Sequence, residues 1–449
     1  MNVFSKIASR MSERSFMASK HILISLVARG VGILCSLIIV PMTINYLNPS
    51  QYGIWLTVSS IIGWIAFFDL GLGNGFRNRF AQAKASGNTE LARQYLSTTY
   101  FALSIIVALL LIVILVVNSF LDWPALLKVD EALKTELRFV FAILSAFFCL
   151  NLVANTFATL LTADQKPGYA SIINSLGQIL SVAAIYVLTR TTKGTLLNLS
   201  LYFAGIPCIV MLLSSIVAFS VSRYKEYAPS IRFVRIPLIK DILGKGVQFF
   251  AIYLCLILIF QISNVVLSRE IGPLSVTQYN IANKYFNVLY MVMAIVINPF
   301  WSAFTDAYTK KDYKWMVSTV SKLERIWLLS TVVAILMLVV SPFVYRIWIK
   351  ESVYVPFALS AAMAVFVMTR NLADVYMYAI NGIGTIRLQF IVYLLFAVIS
   401  WPSLVWSCRL FGVYGIVLFP SLVYIIQAVV GKMQLTRLMN GTAVGLWNK

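Results

Sequence analysis

Apolar residues run through this chain in twelve stretches of about twenty residues, separated by short polar gaps. They fall approximately at 22–45, 53–73, 97–120, 138–162, 169–189, 196–221, 246–268, 276–300, 325–347, 355–380, 387–408 and 412–431. A helix needs ~20 apolar residues to cross the hydrocarbon core, so each stretch predicts one membrane-spanning helix. The expected architecture is an all-α polytopic membrane protein. The first stretch is too long for a signal-peptide core and precedes no small-residue cleavage site, so it is expected to remain in the mature chain.

Composition agrees. Of 449 residues, 60% are hydrophobic and 12% charged, where soluble domains carry roughly 25% charged residues. The net charge of +20 would suggest nucleic acid in a soluble protein. Here the basic residues sit in the gaps between apolar runs, and no soluble, aromatic-interleaved basic segment exists to bind a nucleic acid. With the N-terminus on the cytoplasmic side, the cytoplasmic segments hold 24 Lys and Arg and the opposite side holds 9. The positive-inside rule therefore places both termini in the cytoplasm.

The chain also repeats itself. The link after the first run reads Leu47-Asn-Pro-Ser-Gln-Tyr52-Gly-Ile54; the link after the seventh reads Ile271-Gly-Pro-Leu-Ser-Val-Thr-Gln-Tyr279-Asn-Ile281. Each has a turn-forming proline and then Tyr-x-Ile opening the next helix. Each leads to a polar cytoplasmic segment, with Phe76 in one and Phe304 in the other. This predicts two six-helix lobes, 1–225 and 226–449, facing the same way as a parallel repeat around a central cavity. The basic stretch 222–245, broken by Pro229 and Pro237, reads as a membrane-surface linker between them.

Polar residues inside the spans carry the functional signal. Span one has Ser25, Arg29, Gly32, Ser36 and Thr43 on one face; span eight has Asn280, Lys284, Asn287 and Asn298; span ten has Arg370, Asn371, Asp374, Tyr378 and Asn381. Spans four, five and seven add Asn155, Gln178, Asn264 and their neighbours. Such stripes either glue helices together or line water. For Arg29 and Lys284 the wet cavity is the stronger reading, because a lone base gains little from glue. Both would make the cavity cationic and suited to phosphate or carboxylate. Arg370 and Asp374, four apart, could equally neutralise each other. Asp69, at the cytoplasmic end of span two, pairs with a nearby base or caps the following turn, or else serves ion coupling.

Catalytic chemistry finds little footing. The single histidine, His21, flanks the first span, and the five cysteines lie in apolar runs without a CxxC pair. No cofactor is expected and the chain does not read as an enzyme.

The stretch Asp69-Leu-Gly-Leu-Gly-Asn-Gly-Phe-Arg-Asn-Arg-Phe80, with Lys84-Ala-Ser-Gly-Asn-Thr-Glu90 after it, resembles the bacterial polysaccharide flippases (Wzx-type translocases of O-antigen or capsule repeat units). These belong to the multidrug/oligosaccharidyl-lipid/polysaccharide exporter superfamily. The resemblance implies alternating access in the cytoplasmic (inner) membrane, with undecaprenyl-pyrophosphate-linked oligosaccharide as cargo. It implies that cavity bases hold the diphosphate: by position Arg29, Lys284 and Arg370, among Asn280, Asn287, Ser25 and Ser36. Asp69 and Asp374 are candidates for coupling to H+ or Na+ or for gating. Membrane lipids and polysaccharide polymerase machinery are the implied partners. Two rivals stand beside it: a drug or cation antiporter of the same superfamily, which predicts an acidic cavity, and a membrane polysaccharide polymerase or ligase, which predicts a larger external loop than 121–137.

Overall fold

The computed structural model describes residues 13–65, 72–243, 254–298, 300–350 and 352–448. Among these every regular element is helical. In the first part of the chain the helices are α1 (Glu13–Leu47), α2 (Pro49–Gly63), α3 (Leu72–Ala85), α4 (Thr89–Phe120), α5 (Trp123–Leu127), α6 (Lys134–Ala154), α7 (Thr156–Ala163), α8 (Pro167–Thr191), α9 (Leu196–Val221) and α10 (Pro237–Leu243). In the second they are α11 (Ser263–Glu270), α12 (Pro273–Ile297), α13 (Phe300–Thr309), α14 (Tyr313–Ile349), α15 (Phe357–Ile383), α16 (Arg387–Phe411) and α17 (Gly415–Met439).

Nine stretches of the described residues are long and apolar enough to cross a membrane, and one of them, Arg387–Met439, comprises two consecutive helices. The runs at 53–73 and 246–268 extend beyond the described residues; α2 belongs to the first, and α11, preceded by the helical residues 254–256 and a π-helical turn at Ile257–Gln261, belongs to the second. The protein is thus an all-α polytopic membrane protein of about twelve spans. Its outward faces are what lipid requires: Leu109 and Ile112 of α4 are 60% and 59% exposed, and Leu336 and Val339 of α14 are 59% and 68% exposed.

The chain forms two compact units. The first comprises Met1–Asn48, Ile61–Ala125 and Asp130–Ala251; the second comprises Pro49–Ser60, Leu126–Val129 and Ile252–Lys449. In the first, α1 packs along α8, and α9 packs on α6 and α8. In the second, α15 is central, against α12, α14 and α17. Pro49–Ser60 belongs to the second unit for a steric reason. A Cβ on Gly53 would come within 1.8 Å of the Pro273 carbonyl oxygen, and the Thr277 hydroxyl donates to the Pro49 carbonyl at 2.6 Å. Only glycine allows that approach.

Each half of the sequence carries a copy of the same local construction. α2 and α12 both open on proline, after Asn48 and Gly272 with positive φ. α3 and α13 each carry a phenylalanine pair one turn apart, Phe76–Phe80 and Phe300–Phe304. Each ends in a left-handed residue, Gly87 or Lys311, bonded back to the helix, followed by a capping side chain. Asn88 accepts from the Leu91 N–H at 2.9 Å and Asp312 from the Trp315 N–H at 3.1 Å. One constant sequence offset relates all these pairs. It aligns Phe76 with Phe300 and Phe80 with Phe304, so the match of Phe76 to Phe304 is displaced by four residues and that of Tyr52 to Tyr279 by three. The cause is plain: helix starts and caps have fixed geometry, whereas Tyr-x-Ile has none.

Candidate functional site

In the first unit, α1 and α8 meet along their polar stripes. The Ser171 hydroxyl donates to the Ser25 hydroxyl at 3.2 Å, and that of Ser175 to the Ala28 carbonyl at 2.9 Å. Gly32 leaves room for the Gln178 amide, whose Oε1 would lie 2.8 Å from any Cβ there. Ser36 donates to the Ile33 carbonyl at 2.8 Å and Thr43 to the Ile39 carbonyl at 2.7 Å. Ser25 and Gly32 therefore serve the helix contact, and Ser36 returns its proton to its own helix. Arg29 differs. It lies at the edge of this seam, exposed, and no hydrogen bond or ion pair to another described residue engages it.

The first unit also has a half-open pocket of about 150 Å³, lined by Gly73, Thr99, Leu103, Leu152, Asn155, Thr156 and Thr159. The Thr99 and Thr159 hydroxyls spend their protons on the Tyr95 and Asn155 carbonyls. Drug-sized ligand sites begin at roughly 300 Å³, so this space suits water and not an oligosaccharide. Asp69 lies outside the described residues.

The second unit concentrates charge. Asn280 donates to Asn264 Oδ1 at 2.9 Å and to the Val276 carbonyl at 2.8 Å. Lys284 and Asn287, on the same helix, are half-buried. Further along, the Arg370 guanidinium of α15 sits 3.4 Å from the centre of the Tyr290 ring on α12, a cation–π contact. Eight residues on, Tyr378 donates to Asn298 Oδ1 at 2.8 Å. The equal steps show that α12 and α15 run parallel in fixed register. Arg370 and Asp374 interact electrostatically, and Tyr424 lies within the same field, but the pair forms no ion pair within 4 Å. Asn371 leaves their face. It is fully buried, with neither amide atom hydrogen-bonded, which departs from the stripe predicted through 370, 371 and 374. The tyrosines at 290 and 424 were not singled out from the sequence; the only signal was two more aromatic residues in apolar runs.

One carboxylate outside the spans is firmly paired. Asp164, at the turn between α7 and α8, accepts from Lys84, Lys166 and Tyr224. Burial alone would raise its carboxyl, but those three donors outweigh burial and hold it below its ordinary 3.8.

This all-helical fold has solved counterparts. The chain superposes on an inward-facing multidrug resistance MATE family transporter of the MOP superfamily with a TM-score of 0.69, at 16% identity, over 93% of this chain and 100% of that one. An outward-facing MATE family transporter gives 0.62 at 15% identity, over 94% and 96%. Residues 18–304 match the family described as polysaccharide biosynthesis protein, and the chain belongs to that family. One relative, from Yersinia pseudotuberculosis, carries the provisional name of O-antigen export protein; it is 20% identical, over 65% of this chain and 66% of its own length. Two more are provisionally named O-antigen transporters. That of Salmonella typhimurium is 19% identical over 60% of this chain and 61% of its own length. That of Salmonella typhi is 19% identical over 85% and 87%. The first two alignments thus span less than two thirds of each relative's length.

Proposed function

We propose that the protein moves undecaprenyl-pyrophosphate-linked oligosaccharide repeat units across the bacterial cytoplasmic membrane by alternating access through a cationic passage. Family membership and the O-antigen names of the relatives support the cargo class. The observation that carries the charge argument is Arg29, a base within a span that no carboxylate neutralises among the described residues. Such a charge costs ~2.5–3.5 kcal/mol on insertion scales, and a diphosphate is the ligand whose arrival would offset that cost. Lys284, among Asn280 and Asn287, is the matching base of the second unit, and Arg370 a third. In this reading residues 1–225 and 226–449 supply six spans each, with both termini cytoplasmic. Asp374 is the described candidate for H+ or Na+ coupling.

The test is genetic and chemical. Arg29→Ala and Lys284→Ala should abolish surface polysaccharide while membrane levels stay normal. Unchanged polysaccharide in both variants would refute the assignment. A second reading, drug or cation export, is favoured by the likeness to multidrug transporters. It predicts instead that loss of the protein sensitises cells to lipophilic cations and leaves the surface glycan intact.

A further inference from the structure

The segment after α9 is a strap bound along the first unit. Its inner side is held at every few residues. Tyr224 donates to Asp164 Oδ2 at 2.7 Å. The Ala228 carbonyl accepts from Arg93 Nε at 2.9 Å. The Ser230 and Arg235 N–H groups donate to the Ser97 and Thr98 hydroxyls at 3.2 and 3.0 Å. Asp241, on α10, accepts from Tyr95 at 2.7 Å and pairs with Arg79. Phe233 faces inward beneath the Arg93 guanidinium, 4.1 Å from its ring centre. A chain fixed this often cannot turn its outer face inward.

That outer face is both greasy and basic. Ile231 is 83% exposed and Ile236 is 70% exposed. Between and beside them Arg232, Arg235 and Lys240 are exposed, and none of the three is in an ion pair within 4 Å among the described residues. Depth is set by the partners: the third apolar run begins at residue 97, so the two strap positions bonded to Ser97 and Thr98 lie level with the membrane boundary. The Arg235 guanidinium donates to the Arg232 and Val234 carbonyls, both at 3.1 Å, so its charge is held at this surface without a carboxylate. Aliphatic side chains flanked by such un-neutralised bases at that depth match the composition of interfacial anchors. Anionic headgroups attract bases there and nowhere deeper.

We infer that the outer face of residues 231–240 is a docking surface for anionic bilayer lipids, with Ile231 and Ile236 entering the headgroup region and Arg232, Arg235 and Lys240 contacting lipid phosphates. The occupant is bilayer lipid and not a soluble anion, because a phosphate ion would leave both isoleucines in water. This is independent of the cargo assigned above.

The test uses the full chain in nanodiscs of phosphatidylcholine, alone or mixed with phosphatidylglycerol. With the five native cysteines replaced, a bimane label is placed at Ile231→Cys and, separately, at Ile236→Cys. Nitroxide carried in the lipid headgroup region should quench both labels and dissolved iodide should not. In the mixed lipid, the triple change R232Q/R235Q/K240Q should weaken the lipid quenching roughly twofold, with little change in phosphatidylcholine alone. A readout that needs no cysteine replacement is phosphatidylglycerol retained by the otherwise native protein in native mass spectrometry. It should exceed phosphatidylcholine and fall in the triple variant. Iodide quenching without lipid quenching would overturn the proposal, as would equal phosphatidylglycerol retention by both proteins. Loss of the phosphatidylglycerol preference on adding inorganic phosphate would also overturn it, by assigning the bases to a soluble anion.

Discussion

The α1–α8 seam of the first unit and the α12–α15 seam of the second are built from the same residue types, yet they solve different problems. Between α1 and α8, neutral side chains answer one another, serine to serine and glutamine to glycine, and the one base is left at the edge. Between α12 and α15 a guanidinium is drawn inside, stacked on Tyr290, with Asp374 in its field. Polar residues at helical spacing therefore do not by themselves mean a wet surface. What separates glue from site is whether the neighbouring helix supplies a partner.

The largest effect should come from the charged seam. Arg370→Ala removes a desolvated cation–π contact worth about 2 kcal/mol and leaves Asp374 without a nearby cation in the membrane. The variant should accumulate poorly in the membrane fraction, and adding Asp374→Asn should restore much of the level. Normal accumulation of the single variant would show that Arg370 is solvated after all. By contrast, Ser25→Ala in the neutral seam should leave the level unchanged, since α8 keeps its other contacts.

Next come two of the close backbone approaches, one taken from each unit. Gly53→Ala would press on the Pro273 carbonyl, and Gly75→Ala on the Ile242 carbonyl, each at 1.8 Å. Overpacking of this kind costs about 1–3 kcal/mol, so both should lower the thermal midpoint of the purified protein. Gly30→Ala, with nothing within 4 Å, should not. Equal midpoints for all three would mean that the two backbones part easily.

Asp164 gives a smaller, pH-dependent effect. Its folded pKa lies below the unfolded 3.8, so its stabilisation is complete above that value and is lost as pH falls through the lowered one. The thermal midpoint of Asp164→Asn should sit below that of the parent at neutral pH, and the gap should close in acid below 3.8. A gap that stays constant into acid would contradict the pairing. The least costly changes should be the matched caps. Asn88→Ala and Asp312→Ala should each remove about 1 kcal/mol, by similar amounts if the two halves share one construction.

Much of this architecture was legible in the sequence. Runs of apolar residues fix the spans because lipid leaves no alternative, and the lysine and arginine counts gave an expected orientation. The repeat was visible, but its register was not, since Tyr52 and Tyr279 match only as letters while Asn88 and Asp312 match as caps. The Tyr290–Arg370 contact was hidden because it joins helices far apart in sequence, and so was the burial of Asn371. The strap read as a linker because half its fastening uses its own backbone N–H and carbonyl groups, and the rest joins side chains far apart in sequence, so no local pattern announces it.

The most direct test of the central claim is translocation by the purified full-length protein in proteoliposomes loaded with a fluorescent undecaprenyl-diphosphate oligosaccharide. Glycan accessibility to an external lectin reports crossing. The wild type should move the glycan, and Arg29→Ala and Lys284→Ala should each slow it at least tenfold, the rate lost with about 1.4 kcal/mol of charge-assisted contact. Equal rates in wild type and both variants, or a wild type that moves a lipophilic cation but not the glycan, would contradict the account.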